Sequence, residues 1–333
     1  MKIAIVKLSA LGDIVHAMVI LQFIKNFNQA ITVDWFVEES YKKLLEFNPD
    51  INKVHVINTK EVKQKKSLYF LFKELRKVRH LGPYDLVIDM QGLIKSAIIS
   101  RLIPSKVTLG FDKSSAREGL ASIFYNKTFK YGYDENVIER NLEIISFALK
   151  LNVNKHVIKN KSPFLYSSQR YLNVNLSNAK KNILLIPGAS YKHKCYPVKK
   201  LAELTTLIDA NFLIIWGNLE EKKMAEEIQA QASSVGICEK LSLDLLKSLI
   251  SQVDLVIGPD TGPTHIAWAL NVPSITLFGP TPGYRNSYPT KINKIIESKS
   301  MVNPYKIDKH DNSIKDIDVI EVARVSRELL DSQ

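Results

Sequence analysis

Two cysteines in 333 residues, Cys195 and Cys238, give no disulfide framework and no metal-ligand spacing, which points to a reducing compartment. No apolar run reaches the roughly 20 residues that a membrane-spanning helix needs. The N-terminus passes from Met1-Lys2 straight into a strand pattern without a small-residue cleavage site, so a cytoplasmic protein is expected, free to touch a membrane surface. No Gly-x-Gly-x-x-Gly follows the first strand and no Gly-x-x-x-x-Gly-Lys-Ser/Thr occurs, which excludes the dinucleotide fingerprint and the P-loop. Low-complexity tracts and sequence repeats are missing as well. Acidic residues are in deficit: 34 Asp and Glu stand against 46 Lys and Arg, a net charge of +12. An anionic partner follows, whether nucleic acid, anionic lipid or a phosphorylated substrate. The cations form no compact stripe interleaved with aromatics and no nucleic-acid motif occurs, so nucleic acid is set aside.

What the chain does contain is strands alternating with helices. Strand patterns at 2–8, 32–37, 53–57, 86–89 and 107–111 are separated by helical patterns at 14–27, 41–47, 67–80 and 93–102, with another helix at 136–151. Such alternation means crossover units and a mostly parallel sheet. Residues 152–160, rich in Asn and Lys and without periodicity, and the mixed segment after them to about 180 read as a linker. A second series then begins, with strands at 182–186, 212–216, 255–257 and 274–278 and helices at 198–208, 221–231, 243–251, from Pro263, and 318–330. The reading is α/β: two Rossmann-like doubly wound domains, 1–160 and 161–333, with the boundary inside 152–180. Ligands bind such domains at the carboxyl ends of the strands, so a cleft between two facing edges is the expected active site. Its loops are 9–13, 188–196 and 258–265.

The most informative stretch is Gly258-Pro259-Asp260-Thr261-Gly262-Pro263-Thr264-His265, after the apolar run Leu255-Val256-Ile257. Pro263 suits the first turn of a helix, and Thr261 or Gly262 suits its N-cap. Free amides at a helix start, with Thr261, Thr264 and His265 as added donors, make a cradle for a diphosphate. A carboxylate at the lip of that cradle, Asp260, repels phosphate unless it turns toward hydroxyls, which suggests a nucleotide-sugar. An ordinary capped strand-to-helix loop explains the stretch equally well. In the first half, Lys60, Lys63, Lys65 and Lys66 precede a helix, and Lys113 and Arg117 lie in a polar loop. A solvated face accounts for the lysine run as well as a phosphate contact does, whereas Arg117 offers a bidentate fork to phosphate.

Taken in order, several blocks resemble the bacterial lipopolysaccharide heptosyltransferases, and most of all heptosyltransferase I, glycosyltransferases of the two-domain GT-B fold. The blocks are Lys7-Leu8-Ser9-Ala10-Leu11-Gly12-Asp13, Ile88-Asp89-Met90-Gln91-Gly92-Leu93-Ile94-Lys95-Ser96, Ser115-Ala116-Arg117-Glu118-Gly119-Leu120-Ala121-Ser122, Glu139-Arg140-Asn141, Lys194-Cys195-Tyr196-Pro197 and Asp260-Thr261-Gly262-Pro263-Thr264-His265. The resemblance implies transfer of heptose from ADP-heptose to Kdo on lipid A, with inversion, at the inner leaflet of the cytoplasmic membrane, without a metal or other cofactor. It makes Asp13 the catalytic base. A carboxylate at a Gly-Asp turn is suited to that role, although taken by itself Asp13 reads rather as the N-cap of a helix starting at Ile14. Lys194 corresponds to the cation that holds the departing diphosphate, though Lys192-His193-Lys194 by itself reads as plain surface. Glu221, or its neighbour Glu220, corresponds to a ribose-binding carboxylate, and Ser190, Asp260, Thr261, Gly262 and His265 complete the donor set. Ser9, Gly12, Lys60, Lys63, Lys113 and Arg117 are assigned to the acceptor. This chain departs from the pattern in having Ala189-Ser190 where paired threonines are common, and Pro263-Thr264 where Leu-Ser is common. The rival readings are heptosyltransferase II, with the same donor and another acceptor, and a GT-B sugar-nucleotide epimerase acting on the donor alone.

Overall fold

Strand pairing is parallel throughout both sheets, as helical crossovers require. The computed structural model describes residues 1–59, 68–171 and 175–332. The chain divides into two units, Met1–Phe164 and Leu165–Gln333. The first contains β1 (Lys2–Val6), β2 (Thr32–Val37), β3 (Lys53–Val56), β4 (Tyr84–Asp89), β5 (Ser105–Phe111) and β6 (Lys127–Phe129), in the order β3-β2-β1-β4-β5-β6. The second contains β7 (Asn182–Leu185), β8 (Asn211–Ile214), β9 (Gly236–Ile237), β10 (Leu255–Pro259), β11 (Ser274–Phe278) and β12 (Asn293–Glu297), in the order β12-β11-β10-β7-β8-β9. Counted within its own unit, each sheet reads 3-2-1-4-5-6. The order reverses between the first and fourth strands, β1 with β4 and β7 with β10, and that is where a doubly wound sheet opens a crevice for ligand.

The central strands are apolar runs because both of their faces are covered: Ile3, Ala4, Ile5 and Val6 are fully buried, as are Leu255, Val256 and Ile257. Asn136 caps the helix Val137–Leu149 by accepting from Ile138 N and Glu139 N, and Asp318 caps Val319–Asp331 by accepting from Ile320 N. The latter helix lays Val322, Ala323 and Leu329 into the second unit's core beside Leu201 and Leu204. No helix among the described residues is long and apolar enough to cross a membrane.

Three expectations change. The pattern at 14–27 folds as two helices, Leu11–Met18 and Ile20–Phe27, and the first starts at Leu11 with Ala10 as its N-cap. The units divide at Phe164/Leu165, inside the expected 152–180, but the first part of that stretch, 152–160, is built into the first unit. Lys155–Asn160 forms a 3-10 turn of the first unit, Ile158 is fully buried, and Lys155 Nζ reaches Glu139 Oε2 at 2.8 Å and the Tyr131 hydroxyl at 2.6 Å. Strands β6, β9 and β12 carry no signal in the sequence, since each is an edge strand whose short pattern includes half-buried or exposed positions.

Candidate functional site

β7 and β10 are neighbours, so the segments leaving their carboxyl ends emerge together. From β10 the chain turns directly into the helix Gly262–Ala269, with extended Thr261 as its N-cap and Pro263 in its first turn. Proline loses no hydrogen bond there, because first-turn amides have no carbonyl behind them. The Thr264 hydroxyl closes the cap, accepting from Thr261 N at 3.4 Å and lying 2.6 Å from Thr261 O. Thr261 and Gly262 stay partly open to solvent while Thr264 and His265 are buried, so the positive end of the helix is accessible to an anion.

Asp260 does not stand at the lip of this cradle. It is buried and receives Lys194 Nζ at 2.8 Å, His265 Nε2 at 3.0 Å, the Thr281 hydroxyl at 2.9 Å and Asn286 Nδ2 at 3.4 Å. Burial by itself would raise its pKa, but the Lys194 charge and the His265 bond outweigh that and hold the carboxyl well below the usual carboxylate range. The His265 ring is accordingly turned to Asp260 through Nε2. Lys194 ends the 3-10 turn Lys192–Lys194, and both His193 and Lys194 are buried, so this cluster is not plain surface. The result is a desolvated ammonium, anchored by one carboxylate, beside a helix start that is open to an anion.

Glu221 sits in the first turn of the helix Leu219–Gln231, where Asn218 is the N-cap and accepts from Glu221 N at 3.0 Å. Its carboxylate accepts from Gly217 N at 2.6 Å and Asn218 Nδ2 at 2.8 Å. A β-carbon at Gly188, in the segment after β7, would fall 2.3 Å from Glu221 Cγ, so this approach needs glycine. Glu221 is thus fixed at the sheet edge, whereas Glu220 points into solvent as an exposed residue. Ser190 is exposed on the segment after β7.

In the first unit the same edge is built by β1, β4 and β5. The Gln91 side chain, leaving β4, accepts from Leu8 N at 3.0 Å and Ser9 N at 3.2 Å, and buried Lys7 donates to Met90 O at 2.9 Å. Asp89 is fully buried and receives Gln91 N, Gly92 N, the Ser96 hydroxyl and the Tyr125 hydroxyl within 3.2 Å. Burial pushes its carboxyl up against those four donors. Gly92 takes a left-handed φ of +69° and its carbonyl accepts from Glu118 N at 3.0 Å, which seats the loop carrying Lys113 and Arg117. The loop is held by Arg140, buried on the helix Val137–Leu149, which donates to Ser115 O at 2.8 Å, Tyr131 O at 2.6 Å and Gly132 O. Lys113 and Arg117 themselves remain exposed. Ser9 is half-buried before the helix Leu11–Met18, and Gly12 is that helix's second residue. Asp13 is its third residue and not its N-cap. The Asp13 Oδ2 accepts from Ala10 N at 3.2 Å, and the residue is half-exposed. Lys60 and Lys63, with Lys65 and Lys66, lie outside the described residues.

Sequence reasoning missed Thr281 and Asn286, and had Gln91 and Arg140 only inside motif blocks, without a role in building these edges. Thr281 stands in Gly279-Pro280-Thr281-Pro282-Gly283, a turn signal directly after β11, which was the available clue. Among the described residues no group of three or more His, Cys, Asp or Glu is arranged to hold a metal ion.

Comparison with known proteins bears on this geometry. The description of glycosyltransferase family 9 (heptosyltransferase) matches residues 69–313. The chain is 40% identical to lipopolysaccharide heptosyltransferase 1 of Campylobacter coli over 99% of both chains. It is 28% identical to lipopolysaccharide heptosyltransferase 1 of Pseudomonas aeruginosa, over 86% of this chain and 81% of that one. The solved structure of the Escherichia coli heptosyltransferase WaaC with ADP shares the fold at a TM-score of 0.80 and 24% identity, covering 99% of this chain and 100% of that one. With two Rossmann-like sheets of the GT-B type and these relatives, the chain belongs to glycosyltransferase family 9, the heptosyltransferases.

Proposed function

We propose that the chain is an inverting heptosyltransferase I, moving L-glycero-D-manno-heptose from ADP-heptose to Kdo of lipid A–Kdo in the lipopolysaccharide inner core. The observation that carries this is the buried Lys194–Asp260–His265 cluster beside an open helix start, in a chain 40% identical over its full length to a protein named lipopolysaccharide heptosyltransferase 1. In the reaction, a Kdo hydroxyl oxygen bonds to the anomeric carbon from the face opposite the diphosphate. The bond from that carbon to the diphosphate breaks, ADP leaves with its electron pair, and the hydroxyl proton passes to the Asp13 carboxylate. Lys194 and the first-turn amides of Gly262–Ala269 neutralise the departing diphosphate, work that a metal ion does elsewhere. Glu221 takes the ribose hydroxyls, Ser190 adds a donor to phosphate, and Lys113 and Arg117 face the anionic acceptor. Because the acceptor is lipid-borne, the enzyme works peripherally at the inner face of the cytoplasmic membrane.

ADP release from ADP-heptose should require Kdo-lipid A and should survive EDTA. Acceptor-free conversion of the donor to an epimer, or activity lost to EDTA and restored by magnesium, would overturn the reading. Acceptor KM should climb with salt, since exposed cations are screened within about 10 Å at 0.1 M, with a shallower slope in Arg117→Ala and a nearly flat donor KM in both.

A finer prediction concerns Thr281, which is buried and donates to the same Asp260 oxygen that Lys194 approaches. Thr281→Val removes that donor at constant shape and leaves Asp260 drawing harder on Lys194. The expected rise in donor KM is roughly fivefold, the equivalent of about 1 kcal/mol, and Thr281→Ser should restore it. Donor titrations of the two variants decide the matter, and an unchanged KM in Thr281→Val would remove Thr281 from the site.

A further inference from the structure

One surface of the first unit is used by none of this chemistry. The helices Leu68–Arg79 and Ile94–Leu102 and the 3-10 turn Gly119–Phe124 are the crossovers leaving β3, β4 and β5, and they pack side by side. Leu68–Arg79 turns Val78 into the core. Outward it presents Tyr69, Phe72, Lys73 and Arg76, whose three- and four-residue spacing makes a single stripe. Tyr69 and Phe72 are 72% and 69% exposed, and Leu120 and Ile123 of the 3-10 turn are 62% and 72% exposed. Arg101 of the helix between them is exposed as well, whereas Lys95 of the same helix is turned to Thr59 Oγ1 at 3.4 Å and Glu38 Oε1 at 4.0 Å. The acidic side chains of this layer are engaged locally: Glu74 accepts from Asn58 N at 3.2 Å and Glu118 from Ile94 N at 2.7 Å.

Single exposed apolar side chains are ordinary on a solvated face, but here four large ones share one helical layer with its cations, and such grouping marks an interaction surface. A nucleic acid would satisfy the cations and leave Leu120 and Ile123 in water. A bilayer with anionic headgroups meets both needs at once, since apolar side chains enter the boundary between headgroup and acyl chain while Lys and Arg face lipid phosphates. We infer that this layer is the face by which the protein docks on an anionic phospholipid bilayer, with Tyr69, Phe72, Leu120 and Ile123 inserted and Lys73, Arg76 and Arg101 against the phosphates. The inference rests on the reading of a lipid-borne acceptor for its purpose, but on no step of the transfer.

The test is co-sedimentation of the full-length protein with vesicles of phosphatidylethanolamine and phosphatidylglycerol, lacking both substrates, against vesicles of phosphatidylcholine alone. Binding should appear only on the anionic vesicles and fade as salt rises. Phe72→Ser with Ile123→Ser should weaken it at least about tenfold, and Lys73→Glu with Arg76→Glu should abolish it. Both pairs should keep wild-type circular dichroism and wild-type transfer to a deacylated, water-soluble Kdo acceptor, because all four side chains are in solvent. Equal binding to both vesicle types, no binding to either, or full binding by both variant pairs would overturn the docking face. Loss of transfer to the soluble acceptor in wild type would instead count against the proposed reaction and leave the docking result standing.

Discussion

Replacing Asp260 by alanine will destabilise the second unit by about 3–5 kcal/mol, a magnitude set by the loss of one partner from a buried ion pair. The carboxylate is 8% exposed and is the counter-charge of Lys194 at 2.8 Å and the partner of His265 at 3.0 Å. Without it, a buried ammonium remains uncompensated, and the donors on Thr281 and Asn286 lose their acceptor. Against a domain stability of about 5–15 kcal/mol this is a large fraction, and a fall in melting temperature on the order of 10 °C is expected. Asp260→Leu combined with Lys194→Met should melt higher than Asp260→Leu alone, because the stranded charge is gone. Denaturant melts of the two variants measure this, and a double variant no more stable than the single one would show that the pair is not the source. The pH dependence has a definite sign. The folded Asp260 pKa is depressed, so its contribution is complete above the unfolded-state carboxyl value of about 3.9 and is lost as pH falls from there toward the folded pKa. Wild type should therefore lose stability on acidification below about pH 4 more steeply than Asp260→Asn.

Asp13→Asn should lower kcat at least about a hundredfold, the usual scale for removing a positioned proton acceptor, with donor KM little changed. The substitution is chosen on structural grounds. Asp13 takes Ala10 N at 3.2 Å in the first turn of Leu11–Met18, and an asparagine oxygen keeps that bond while losing the ability to accept a proton. A carboxylate in a first helical turn adds only about 0.3–1 kcal/mol through the macrodipole, so the variant should fold and melt near wild type. Single-turnover rates together with melting curves separate the two roles of Asp13. An Asp13→Asn enzyme with most of its kcat intact would leave the helix start as the residue's whole purpose.

The sequence by itself determined the class of fold and the position of the loops. A strand buried on both faces must read as an apolar run, and a helix on a sheet must show its stripe, so β1, β2, β10 and β11 and their helices were legible from Lys2 to Phe278. The Pro263 helix start was legible for the same local reason, since proline placement and capping depend on immediate neighbours. What no local pattern encodes is which side chain faces which across the sheet. The pairing of β7 with β10 is a non-local fact, and it turned Asp260 from a residue facing sugar hydroxyls into the buried anchor of Lys194, sixty-six positions away in the chain. Gln91 holding Ser9 and Arg140 holding the Ser115 carbonyl were likewise invisible, because a buried polar group is assigned only when its partner is in place. The exposed stripe of Tyr69 and Phe72 was masked for the opposite reason: apolar residues at helical spacing read as core until the tertiary structure shows which face the sheet covers.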